Sequence, residues 1–145
     1  MQWSGGTNAG FTTGAPWLPL HPEAQTVNVA RQRADKGSML AWYTGLLHLR
    51  HSDPALRSGD YLPLNSGNPQ VLAYARVAKS GAGVLVLLNM SGQRQRLSIT
   101  GWPASRPQAG DVIMATPAPG AANLIDPALE PYAVQLVRFS PASAK

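Results

Sequence analysis

"VLAYARVAKSGAGVLVLLNM", Val71 to Met90, decides the fold of this chain. Its two ends are rich in β-branched and aromatic residues, and KSGAG, Lys79 to Gly83, lies between them as a short glycine-containing connection suited to a hairpin. VLVLL, Val84 to Leu88, is apolar on both faces, so it reads as an interior strand covered on each side. The same pattern continues outward in "YLPL" from Tyr61, "RQRLSIT" from Arg94, "DVIMA" from Asp111 and "YAVQLVRF" from Tyr132, each run bounded by Gly, Pro, Asn or Ser. RLSIT and AVQLVRF alternate and are expected to be half-buried. Six candidate strands predict a mainly β fold, an antiparallel β-sandwich of Greek-key type over about Leu56 to Ser140. The expected organisation is residues 1–55, then a sandwich domain at 56–145.

One helix precedes the strands. Asp35 or Ser38 can accept hydrogen bonds from its first free backbone N–H groups, and Met39, Trp42, Tyr43, Leu46, Leu47 and Leu49 follow at helical spacing. Arg50 and His51 sit in the last turn, where the helix dipole favours positive charge. Asp53-Pro54 is expected to end the helix, because a residue before proline avoids the helical region. The aromatics on it read as packing residues, and His48 and His51 as partly exposed positions without a metal.

The first twenty residues, "MQWSGGTNAGFTTGAPWLPL", contain two Trp, one Phe, four Gly, two Pro and no charged side chain. Gly5, Gly6, Gly10, Gly14, Pro16 and Pro19 interrupt any regular period, so a long loop is expected. Trp3, Phe11 and Trp17 argue against disorder. Long loops in compact domains are commonly functional walls around a ligand.

Composition excludes several classes. The chain has 145 residues, 44% of them hydrophobic, enough for a real core in one domain with a small appendage. Cysteine is absent, so no disulfide framework is available. No basic region followed by an apolar core opens the chain, and no apolar run approaches the length of a membrane span. A cytoplasmic location is favoured. Twelve Lys and Arg against seven Asp and Glu give +5, but the bases are scattered and no nucleic-acid motif accompanies them, so neither nucleic acid nor membrane is expected as a partner.

The residues carry no recognisable catalytic set. His21, His48 and His51 have no Cys or acidic cluster beside them, so no metal and no cofactor is expected. GAGVLV, Gly81 to Val86, leads into an apolar strand rather than a helix, which is the wrong context for a phosphate cradle. No G-x-S-x-G elbow occurs. Glu23, Asp35, Asp53, Asp60, Asp111, Asp126 and Glu130 each fit an ordinary capping or turn role.

"MQW", "NAGFT", "PWLP" and "NV" in that order, then a helix ending "LLHLRHSDPAL" and the strand pair "LAYAR" and "VLVLLN", resemble the C-terminal part of the α-glucosidases of glycoside hydrolase family 13, in the α-amylase superfamily. The match looks closest to the oligo-1,6-glucosidase, trehalose synthase and sucrose-active branch. The resemblance implies that Met1 to Val29 is the long loop after the eighth strand of a (β/α)8 barrel, that Met39 to His51 is similar to the last barrel helix, and that the remainder is the appended sandwich. Barrel active sites lie in the loops after the strands. Trp3, Asn8, Phe11 and Trp17 are therefore the expected carbohydrate-binding residues, facing α-glucoside sugars. The family's catalytic acids sit in earlier motifs with no counterpart here, and Ser4 stands where relatives often carry an acid. The implied role is a non-catalytic part of an α-glucosidase, inactive alone and supporting the barrel. The helix face, deprived of barrel neighbours, is expected to be covered by a homodimer contact or by Met1 to Val29 folding back.

Two other readings stand beside it. A carbohydrate-binding module would use exposed aromatics among Trp3, Trp17, Trp42, Trp102 and Tyr132, and a self-associating structural domain would need no ligand.

Overall fold

In the computed structural model, which describes residues 1–102, 110–116 and 128–140, strands β1 (Asp60–Leu64), β2 (Val71–Val77) and β3 (Gly83–Asn89) form an antiparallel meander. The expected hairpin joins β2 to β3. Its turn closes with the Ala78 N–H donating to Ala82 O at 2.8 Å and the Gly81 N–H donating to Ala78 O at 2.9 Å. Gly81 takes φ +84°, a region that a Cβ disfavours.

Later in the chain come β4 (Gln95–Arg96), β5 (Asp111–Thr116), β6 (Ala128–Leu129) and β7 (Val134–Phe139). They complete a five-stranded antiparallel sheet of order β1-β2-β3-β7-β5 and a separate two-stranded ladder of β4 with β6. One face of the large sheet carries Val71, Ala73, Ala75, Leu85, Leu87, Val137 and Phe139, and these form the core with Leu97, Ile99 and Leu129. On the other face Val84, Val86 and Leu136 are also buried. VLVLL is thus covered on both sides, as its composition requires.

Two strand expectations need correction. Only Gln95–Arg96 of the RQRLSIT run joins a ladder. Leu97 and Ile99 still turn inward, but the Ser98 N–H donates to Ser66 O and Thr100 bridges Asn65, so the run changes partner midway instead of forming one strand. β7 is not half-buried either, since Leu136 and Val137 point to opposite faces and both are buried. Its place between β3 and β5 explains this. Among the described residues the second layer consists of the β4–β6 ladder and the extended segment carrying Leu97 and Ile99, not a second full sheet.

The helices are α1 (Val29–Ala34), α2 (Met39–Ser52) and α3 (Pro54–Ser58). α2 lies where the periodicity placed it. Two of its first N–H groups are satisfied by side chains that precede it: Leu40 N–H donates to Gln32 Oε1 on α1 and Ala41 N–H to Ser38 Oγ. Asp35 instead accepts from Gly37 N–H, so Ser38 is the cap. Asp53 does end α2, but the proline after it opens α3, a helix that the sequence reading did not anticipate. Pro at the first helical position has no N–H to leave unsatisfied, and Asp53 Oδ1 accepts from Ala55 and Leu56. No described helix is long and apolar enough to cross a membrane.

The chain forms two compact units, Met1–Arg50 and a second from His51 onward. The core described above belongs to the second.

Candidate functional site

The Met1–Arg50 unit buries only Ala9, Ala24, Asn28 and Ser38. None of its Leu, Met, Phe, Trp or Tyr side chains is buried, so the unit is held by polar bonds rather than by a core. Residues 2 and 3 run beside the start of α1, where Gln2 O accepts from Val29 N–H at 3.0 Å and Trp3 O from Ala30 N–H at 2.9 Å. Asn28, buried, caps α1 through Oδ1 on Arg31 N–H and donates from Nδ2 to Ala24 O.

The aromatic loop is irregular, as its Gly and Pro content demands, apart from short 3-10 turns at Thr7–Gly10 and Pro22–Gln25. Asn8 and Ala9 take φ +51° and +52° inside the first. Asn tolerates this region better than most residues, and the Asn8 side chain reinforces the turn by donating to Thr12 O and Gly14 O at 3.2 and 2.8 Å. Its amide donors are committed to the backbone.

Two open hollows lie in this unit. One, of about 650 Å³, is lined by Met1, Trp3, Val29, Gln32, Arg33, Leu40, Ala41 and Thr44. The other, of about 400 Å³, is lined by Phe11, Trp17, Leu18, Leu20 and His21, with Met1, Gln2 and Pro19 completing it. The four expected sugar-facing residues are therefore divided. Phe11 and Trp17 share the smaller hollow, Trp3 lines the larger, and Asn8 lines neither. Trp17 is 90% exposed. His21 and Gln2 were missed by sequence reasoning, because the long-range pairing of residues 2–3 with α1 brings them there and no local pattern marks it.

Among the described residues neither hollow is lined by a carboxylate. The acids are engaged elsewhere: Asp53 caps α3 and pairs with Arg138, Glu130 pairs with Arg94 at 3.0 Å, and Asp60 and Asp111 begin strands. Asp126 lies outside the described residues. No group of three His, Asp or Glu that could hold a metal occurs among the described residues. His48 and His51 are exposed.

The remaining aromatics have other surroundings. Trp102 packs edge-on against Phe139, centroids 5.5 Å apart, and belongs to the second unit's core rather than to a binding platform. Trp42 is half-buried, and Tyr132 is exposed on a turn at φ +54°. Met39, Tyr43 and Leu47 on α2 are 71%, 60% and 55% exposed, so residues 1–29 do not cover them.

The α-amylase catalytic-domain family matches residues 1–59. The chain is 40% identical over 95 residues to trehalose-6-phosphate hydrolase of Escherichia coli K12, an overlap of 66% of this chain and 17% of that protein. It is 38% identical over 91 residues to oligo-1,6-glucosidase of Heyndrickxia coagulans, 63% of this chain and 16% of that one. Among solved structures, isomaltulose synthase of Erwinia rhapontici NX5 in complex with sucrose superposes with TM-score 0.79 at 29% identity, over 97% of this chain and 24% of the other. Trehalulose synthase of Pseudomonas mesoacidophila MX-45 gives TM-score 0.79 at 31% identity, over 96% and 24%. The chain thus spans about a sixth of the curated relatives' length.

Proposed function

We propose that this chain, an α-glucosidase-like member of the α-amylase family (glycoside hydrolase family 13), is the non-catalytic C-terminal part of a glycoside hydrolase that acts on α-glucosides. Residues 1–50 supply an aromatic wall facing the sugar, and the second unit is a sandwich domain of supporting role, its second layer built on the β4–β6 ladder. The observation that carries this reading is the match of residues 1–59 to a catalytic domain, combined with hollows that offer aromatic and apolar surface but no carboxylate among the described residues. A retaining glycosidase needs two carboxyl groups about 5 Å apart across the scissile bond. Aromatic faces with few polar groups suit the binding of a sugar and not its hydrolysis.

The test has two arms. Incubated with a nitrophenyl α-glucoside, the purified chain releases no nitrophenol above the uncatalysed rate. Titrated with isomaltose, it shows quenching of Trp fluorescence that Trp17→Ala removes. Turnover that disappears on replacing one of its acids would overturn the non-catalytic reading, and absence of any sugar binding would overturn the wall.

A further inference from the structure

The aromatic hollow contains one imidazole whose proton position the backbone determines. His21 precedes the Pro22–Gln25 turn as its N-cap, at φ −61° and ψ 135°, and the Glu23 N–H donates to His21 Nδ1 at 3.2 Å. A ring nitrogen that accepts holds no hydrogen, so the ring hydrogen sits on Nε2. The same side chain lines the hollow with Phe11 and Trp17. The capping bond uses up the acceptor, and what the ring has left for a ligand is a donor.

We propose that His21 is a recognition residue of this hollow, its Nε2–H donating to a hydroxyl oxygen of a neutral glucosyl ligand stacked on Phe11 or Trp17. The inference rests on the sugar-facing reading of this wall. The charge pattern favours an uncharged ligand: the lining side chains include aromatic rings, aliphatic groups, Gln2 and His21, with neither Lys, Arg nor a carboxylate among them. A volume of about 400 Å³ falls in the range of small-ligand sites, ~300–1,000 Å³. Such sites combine a mostly apolar lining with a few placed polar groups that set orientation, and His21 is suited to that part because the cap restrains its ring.

Replacing His21 disturbs both the cap and the donor, so two variants are needed. Asn is among the best N-caps and accepts from the Glu23 N–H with its own Oδ1, yet it removes the Nε2 donor. Ala removes both. Isomaltose and D-glucose are titrated into the intact chain by calorimetry, with thermal melting followed in parallel. The expected result is a threefold to tenfold weaker Kd in both His21→Asn and His21→Ala, the loss of one net hydrogen bond, with the melting temperature unchanged in His21→Asn. Wild-type affinity in His21→Asn, while Trp17→Ala abolishes binding, would overturn the donor role and leave the sugar wall intact. Weakening in His21→Ala alone would reduce His21 to a cap. Failure of the unaltered chain to bind either sugar would overturn the wall and this inference together.

Discussion

Arg138, on β7, places both Nε and Nη2 on one carboxylate oxygen of Asp53, at 3.2 and 3.0 Å, although 85 positions separate the two residues. The other oxygen of Asp53 caps α3. One buried carboxylate therefore starts a helix and ties it to an interior strand, while the Arg138 side chain stays about half exposed. Asp53→Ala removes a cap worth about 1 kcal/mol and a partly solvated, hydrogen-bonded ion pair of similar worth. A loss of about 2 kcal/mol is expected, seen as a lower urea midpoint at unchanged slope. Asp53→Asn, which keeps the cap oxygen, should lose roughly half as much. An Asp53→Asn variant as stable as the parent chain would show that the pair with Arg138 contributes nothing, and equal losses in the two variants that the cap contributes nothing.

Leu87 is fully buried at the centre of the large sheet, opposite Ala73 on β2 and Gln135 on β7. Among the described residues of the apolar core cluster there is no cation for an aspartate at this position to pair with. Its burial costs several kcal/mol against a total stability of roughly 5–15. Leu87→Asp is expected to abolish the cooperative thermal transition and the β-type circular dichroism. A melting curve like that of the parent chain would remove Leu87 from the core.

Gly83 begins β3 where no side chain fits. A Cβ built on it would lie 2.4 Å from Phe139 Cζ and 2.5 Å from Arg76 O, and the second of these is backbone within the sheet. Gly83→Ala is expected to destabilise the chain by about 1–3 kcal/mol, the usual cost of overpacking. Phe139→Leu in the same chain relieves only the ring contact and should restore part of the loss. A neutral Gly83→Ala would mean that the hairpin end shifts freely.

Met39, Tyr43 and Leu47 stand at positions i, i+4 and i+8 of α2, which puts them along one face, and all three are exposed. A contiguous apolar strip of this kind favours self-association when no other surface covers it. Sedimentation velocity at micromolar concentration is expected to show a dimer, and Tyr43→Lys with Leu47→Lys a monomer of unchanged helix content. A monomer in both cases would reject the two-fold contact.

Local pattern made much of this protein readable. The strands around Val71 to Met90, the strand at Asp111, the core of the last strand and α2 all carry their own period in adjacent residues, and the order of rare aromatic motifs at the N-terminus pointed to the α-amylase family. The irregular opening was equally legible, because Gly and Pro at short intervals forbid a regular backbone whatever surrounds it. What local sequence could not state was anything held by bonds between distant residues. α3 is five residues long and depends on Asp53, whose second partner is Arg138; β6 is two residues held by Gln95 and Arg96. Asn8 looked available to a ligand until the turn claimed its amide, and Phe11, Trp17 and His21 became neighbours apart from Trp3 only through the path of the loop. Period and composition are properties of neighbouring residues and survive in a list of letters, whereas partner choice for a short strand, a cap or a loop side chain is decided by which distant groups the folded backbone brings within hydrogen-bonding distance.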